Sequence, residues 1–191
     1  LTAPTEGTGS IFSFDLTLPA IFREAEPPAS AQPLAPPSPS PRGALLEGPF
    51  NGLPLRVLVA DDMPINRQLL VMQLKKLFKE IEVFDKETGE DALEALRSTI
   101  DFTPDKGFDI AFLDEVYGPH PMKGTEVTQH ARAAGVMARS GGPLPIIGCT
   151  GNQGAGAHNE QAFAAGQNSV WGKPFPPAEQ MREELVEFLG L

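Results

Sequence analysis

From about residue 54 onward the chain switches repeatedly between two hydrophobic periods. Residues 56–60 read Arg-Val-Leu-Val-Ala, a short and nearly continuous apolar run of the kind that forms a strand covered on both faces. Pro64 then opens a helical stretch, in which Ile65, Leu69 and Met72, and also Leu70, Leu74 and Leu77, recur at three and four residues. Further strands are predicted at 81–84, 108–113, 144–149 and 169–172. The helices between them have their own signals. Thr88 with Asp91 three residues later resembles a capping box, and Ala92, Leu93 and Leu96 give that helix an inner face. A helix is predicted at about 125–138, a short weak one at about 154–165, and a last one after Pro176 with Met181, Leu185, Phe188 and Leu189 on one side. Five β/α units whose strands are too apolar for one-sided exposure predict an α/β fold, a five-stranded parallel sheet with helices on both faces.

The first 53 residues follow another pattern. Phe12, Phe14, Leu16 and Leu18 alternate with polar residues after a Gly-Thr-Gly turn, the signature of a strand with one buried face. A lone strand is not a domain, so its partners are expected upstream of this chain, which begins at Leu1 and reads as part of something longer. Ten of the 20 prolines fall within residues 1–53, seven of them between Pro27 and Pro41, so residues 24–53 read as a flexible Pro-rich linker. The division expected is 1–23 as the end of an upstream domain, 24–53 as linker and 54–191 as the folded domain, long enough for one hydrophobic core.

Charge narrows the functions. The formal net charge is −10, and residues 54–191 share its sign, with 13 Lys and Arg against 20 Asp and Glu. That balance argues against a nucleic-acid partner. No apolar run approaches bilayer-spanning length and no signal peptide is visible, so no membrane contact is expected of this portion. The single cysteine, Cys149, excludes an internal disulfide framework and fits a reducing, cytoplasmic setting.

In parallel sheets, function gathers at the carboxyl ends of the strands. The first strand ends in Asp61-Asp62, the third in Asp114-Glu115, the fourth in Thr150-Gly151 and the fifth in Lys173-Pro174. Taken singly, an aspartate there is a turn or helix cap and a threonine or lysine is surface decoration. Five such residues from four strand ends make a chemical set. Converging carboxylates repel unless they share a cation, and hard oxygen ligands suit Mg²⁺. A carboxylate beside Mg²⁺ can attack a phosphoryl group, and the metal, Lys173 and the Thr150 hydroxyl can neutralise the phosphoryl oxygens.

The segments Leu-Arg-Val-Leu-Val-Ala-Asp61-Asp62-Met-Pro-Ile-Asn66, Phe-Asp-Ile-Ala-Phe-Leu-Asp114, Ile-Ile-Gly-Cys-Thr150-Gly-Asn and Val-Trp-Gly-Lys173-Pro174 closely resemble the receiver domain of two-component response regulators. The resemblance covers about residues 54–191 and implies a flavodoxin-like fold of receiver type. It implies Asp114 as phosphoacceptor, Mg²⁺ held by Asp61 (partly through water), Asp62, Asp114 and the backbone carbonyl of Val116, and Thr150 and Lys173 as phosphoryl contacts. It also implies a cis Lys173-Pro174 bond. Residues 7–19 resemble the final strand of a histidine-kinase ATP-binding domain, so that the whole is similar to the C-terminal part of a hybrid sensor histidine kinase. The implied partners are a kinase core in cis, which supplies phosphohistidine, and a downstream histidine phosphotransfer protein. The catalytic kinase core itself would lie upstream, which leaves this portion at most phosphotransfer and autodephosphorylation. None of His120, His130 or His158 lies in a phosphohistidine context, and all three are expected to face solvent.

The sequence departs from the family pattern twice. The loop after Asp114 is about two residues longer, and Tyr117, Pro119 and His120 within it are expected to shape partner choice. The aromatic usual three residues before the lysine is Val170, while its neighbour Trp171 is expected to point to the other face of the strand. Three other readings compete. A pseudo-receiver serving only protein contacts is favoured by Val170 and opposed by the intact five residues. An aspartate-nucleophile phosphatase of haloacid-dehalogenase type wants a second acid where Val116 stands. A nucleotide-binding domain wants glycines where Ala-Asp-Asp-Met-Pro stands.

Overall fold

The computed structural model describes residues 45–100, 106–151 and 156–191. The strand expected at 7–19 and most of the 24–53 span lie outside the described residues. Five β/α units follow in order: β1 Leu55–Ala60, α1 Pro64–Leu77, β2 Ile81–Lys86, α2 Gly89–Arg97, β3 Ile110–Asp114, α3 Gly124–Ala133, β4 Ile146–Thr150, α4 Gly156–Ala165, β5 Ser169–Gly172 and α5 Ala178–Leu189. The strands form one parallel sheet in the order β2-β1-β3-β4-β5. The chain leaves β1 toward β2 on one side and resumes at β3 on the other, so a topological switch point lies between β1 and β3.

Alternate strand residues build two cores. Leu58, Ala60, Leu113 and Ile146 meet Ala92, Leu96, Val127 and Ala131 of α2 and α3 on one face. Val57, Val59, Phe112, Ile147 and Trp171 meet Leu70, Leu74, Met181 and Leu185 of α1 and α5 on the other. Each fully buried large side chain contributes about 1.5–3 kcal/mol of transfer free energy. The edge strand β2 differs from the expected two-sided burial. Glu82 and Asp85 are exposed, because only one neighbour covers it.

Helix positions refine the sequence reading in two places. Of the two stripes on α1, only Leu70, Leu74 and Leu77 are buried, while Ile65, Leu69 and Met72 face outward. Both stripes have helical spacing, and the packing against the sheet and α5 chooses one of them. Helix α3 stops at Ala133, short of the expected 138. Gly135 takes φ +70°, with its N–H on the Arg132 carbonyl and the Val136 N–H on that of Ala131. That is a Schellman close, and the left-handed glycine ends the helix. At α2, the Thr88 hydroxyl accepts from the Asp91 N–H at 3.0 Å, one half of the capping box that the spacing predicts.

Residues 45–53 pack onto the domain. Leu46 pairs with Phe78 beyond the end of α1, with N–H···O contacts of 2.7 and 2.8 Å to Leu77 and from Lys79. Asn51 and Gly52 both have positive φ, a turn that Asn-Gly favours. Nearby, Arg139 and Asp109 form a buried bidentate ion pair, with Arg139 also donating to the Pro54 carbonyl at 2.7 Å. No helix among the described residues is long and apolar enough to cross a membrane.

Candidate phosphoacceptor site

β1 and β3 are neighbours, Asp61-Asp62 follow β1 directly and Asp114 ends β3, so the parallel register delivers the three to one edge beside the switch point. Carboxylate oxygens of the three lie within 4.8 Å of one another. β4 and β5 bring Thr150 beside Gly172, and the Lys173 N–H donates to the Thr150 carbonyl at 2.8 Å. The Lys173 ammonium reaches back between two acids, 2.6 Å from Asp61 Oδ2 and 2.8 Å from Asp114 Oδ2. The Lys173-Pro174 bond is cis. A cleft of about 440 Å³ opens over this edge, with Asn66, Asp114, Val116, Thr150, Gly151 and Lys173 in its wall.

Each acid is held differently. Asp61 is buried, and its Oδ1 accepts from the Met63 N–H at 2.9 Å and from Asn66 Nδ2 at 3.0 Å. Asp114 Oδ1 accepts from the Glu115 N–H at 2.8 Å. Burial raises the Asp114 pKa, and the Lys173 hydrogen bond and charge only partly offset this. Burial alone would lower that of Lys173, but its hydrogen bonds to Asp114 and Asp61 and their charges outweigh it, and the net shift is upward. The lysine therefore stays charged, and the site is a pre-formed arrangement of one cation among three carboxylates.

That donor set fits a hard divalent cation: oxygen ligands on one side of an open cleft, with room for water in the remaining positions. With such a cation bound to offset the carboxylates, an anionic tetrahedral group would fit over Asp114, flanked by Lys173, the half-buried Thr150 and the exposed backbone at Gly151.

Several residues that the sequence reading left without a role take part. Asn66 steadies Asp61 from the first turn of α1, and as one of several polar residues of that helix it carries no distinguishing signal of its own. Arg67 is buried in α1, donates to the Asp61 carbonyl at 2.6 Å and pairs with Glu87 at 3.0 Å and Asp85 at 3.4 Å. Glu115 receives both the N–H and the hydroxyl of Thr125 at 3.0 Å, which ties the start of α3 to the end of β3. Close approach is also demanded of Gly124, where a Cβ would lie 2.2 Å from the Asp114 carbonyl oxygen.

Two expectations about departures from the family pattern resolve differently. Tyr117 does not face a partner: it is fully buried, packed in the α2–α3 core, whereas Pro119 and His120 are exposed. Its aromatic ring has more apolar surface to bury than the loop's other residues, so it turns inward. Trp171 lies on the face opposite Val170 as expected, against Phe112, with its indole N–H donating to Glu184 at 2.8 Å. His130 is exposed as well, and the His158 side chain lies outside what is described.

No family model and no curated protein matches this sequence. Solved structures do. The receiver domain of the histidine kinase CKI1 from Arabidopsis thaliana, in complex with Mg²⁺ and BeF₃⁻, superposes with a TM-score of 0.58 at 25% identity, covering 72% of this chain and 91% of that one. The fold is that of a receiver domain. The signal receiver domain of a modulated diguanylate cyclase from Desulfovibrio desulfuricans gives 0.53 at 21% identity, over 72% of this chain and 95% of that one. The receiver domain of the Francisella response regulator 1452 gives 0.54 at 16%, over 71% and 97%. These likenesses show the fold, and the chemistry of this chain rests on its own residues.

Proposed function

We propose that the domain is a phosphorelay receiver, in which Asp114 takes a phosphoryl group from a phosphohistidine. The observation that carries this reading is the Lys173 ammonium lying within 2.8 Å of both Asp61 and Asp114 where three carboxylates converge. In the transfer, an Asp114 carboxylate oxygen forms a bond to phosphorus while the P–N bond breaks. The bonding pair returns to the imidazole nitrogen of the donor, and an aspartyl acyl phosphate remains. Asp61, Asp62 and Asp114, with the Val116 carbonyl, would hold Mg²⁺, which supplies positive charge to the transferring oxygens. Lys173 holds Asp114 aligned before transfer and stays with the developing charge afterwards, and Thr150 offers its hydroxyl from the other side of the cleft. No general base is required, because the nucleophile is a carboxylate.

The donor partner has a surface to meet. Met63, Ile65, Leu69 and Met72 leave an exposed apolar stripe along α1 beside the cleft, continued across it by the exposed Val116. Such a stripe suits a helical partner that brings its histidine over Asp114. In this reading residues 54–191 are the receiver, 24–53 connect it to a histidine-kinase core of which 1–23 are the end, with 45–53 docked on the domain and not free as the flexible linker expected there, and a histidine phosphotransfer protein receives the phosphoryl group next, on the cytoplasmic side. The relationship to a histidine-kinase receiver solved with Mg²⁺ and BeF₃⁻ supports the hybrid-kinase context.

The test is incubation with Mg²⁺ and acetyl phosphate followed by intact-protein mass measurement. One added phosphoryl group, absent from Asp114→Asn and after chelation, is expected. Labelling that survives Asp114→Asn refutes the assignment, and steady release of phosphate from small phosphoesters points to the hydrolase instead.

A further inference from the structure

The connection between Asp114 and Gly124 is closed at its base. Glu115 grips Thr125 through two hydrogen bonds, and the Gly124 N–H returns to the Glu115 carbonyl at 3.3 Å. A loop whose ends meet in this way is held by what its own side chains bury. Here that side chain is Tyr117, fully buried among the residues of the α2–α3 core, and its hydroxyl has no hydrogen-bond partner among the described residues. Immediately after this anchor the chain turns. The His120 N–H donates to the Tyr117 carbonyl at 3.0 Å, and Gly118 takes φ +53°. Farther along, Met122 lies against the start of α2, where a Cβ on Gly89 would come within 2.8 Å of the Met122 carbonyl oxygen.

The turn brings Gly118 against Asp62. A Cβ at Gly118 would lie 2.9 Å from Asp62 Oδ2. The significance of this contact follows from how the other acids are fixed. Asp61 has Met63, Asn66 and Lys173, and Asp114 has Glu115 and Lys173. Asp62 has no hydrogen bond and no ion pair among the described residues. Asp62 is half-buried, and its Oδ2 reaches into the space that a side chain on Gly118 would occupy.

We infer that Tyr117 and Gly118 are positioning residues for the divalent-cation site: the buried tyrosine ring fixes the loop, and the loop's glycine sets where the Asp62 carboxylate stands. The inference rests on the Mg²⁺ reading above and adds a device to it. The ring does the anchoring, since the hydroxyl has no partner among the described residues, so the loop calls for an aromatic of this size and not for a phenol. Glycine at 118 serves twice: its left-handed φ favours glycine, and a methyl group there would force the Asp62 carboxylate to shift. Outer contacts that orient a metal's ligands commonly control affinity by about 10- to 100-fold.

The experiment is calorimetric titration of the whole chain with MgCl₂. Gly118→Ala is expected to weaken Mg²⁺ binding about tenfold or more. Tyr117→Ala is expected to weaken it too, and Tyr117→Phe to bind as tightly as wild type. In an Asp62→Asn background, Gly118→Ala is expected to have little further effect, which a purely structural loop would not show. If the wild type binds Mg²⁺ and Gly118→Ala binds it equally well, this inference is overturned and the metal reading stands. If Gly118→Ala weakens binding equally in the presence and absence of the Asp62 carboxylate, the inference also falls. A wild type that takes up no Mg²⁺ overturns both.

Discussion

Removing the Lys173 charge tests whether the site is an electrostatic balance that a metal can restore. In Lys173→Met the alkyl stem is kept and the ammonium is lost. Three carboxylates then converge with no cation between them. Removing one partner of a fully buried ion pair costs about 3–5 kcal/mol. An exposed pair is worth only about 0–1 kcal/mol. Lys173 has 15% of its side chain exposed and its two partners 5% and 10%, at the floor of an open cleft. The loss should therefore fall between these limits, at about 2 kcal/mol in chelator. The assay is urea unfolding followed by Trp171, the only tryptophan and a buried one. The unfolding midpoint should drop while the slope stays constant, which separates lost stability from altered compactness. Mg²⁺ at 100 times its dissociation constant adds about 2.7 kcal/mol to a folded state that alone binds it. Without the competing ammonium the variant should bind Mg²⁺ more tightly than wild type, so the stability gap should narrow as Mg²⁺ is added. A variant as stable as wild type in chelator, or a gap that Mg²⁺ leaves unchanged, would refute the reasoning.

Three further outcomes are expected. Leu69→Glu, on the exposed stripe of α1, should shift stability by no more than about 0.5 kcal/mol and leave labelling by acetyl phosphate intact, while slowing transfer from a phosphohistidine donor. Arg139→Met should cost about 3–5 kcal/mol in unfolding experiments, because it strands Asp109 in the interior, yet it should leave acetyl phosphate labelling of the folded protein unchanged. Burial raises the pKa of Glu184, but hydrogen bonds from Trp171, Ser169 and Gln180 outweigh it, and the net shift is downward. A lowered folded-state value means that this carboxylate stabilises the fold above the ordinary glutamate range and ceases to do so as pH falls through the lowered value. The stability difference between wild type and Glu184→Gln should accordingly shrink on acidification, read by Trp171 fluorescence during unfolding. A difference that is independent of pH contradicts this.

Much of the molecule is written in short-range pattern. The run Val57–Ala60 is apolar in every position, so it must be covered on both faces, and that alone asks for a parallel sheet between helices. Because β/α units repeat with one polarity, the residues ending each strand share an edge. Asp61, Asp62, Asp114, Thr150 and Lys173 could therefore be gathered before any distance was known. The alternation of faces along β5 likewise placed Trp171 opposite Val170. The end of α3 is written in Gly135, whose left-handed φ closes the helix before the predicted 138.

What needed the tertiary structure was every choice between locally equivalent options. Ile65, Leu69 and Met72 have the same helical spacing as the buried Leu70, Leu74 and Leu77, and only contact with the sheet and α5 decides which stripe turns in. Tyr117 in an extended loop could point either way, and the space between α2 and α3 drew it inside. The pairing of Arg139 with Asp109 joins groups 30 residues apart, beyond any periodicity. The same holds for Gly118 and Asp62, which come from different strand ends and meet only because the loop is anchored at its base and at its buried ring. Periodicity acts through the chain over a few residues and fixes elements, their order and the edge they share. Which face turns in, and which backbone meets which carboxylate, is settled by packing through space.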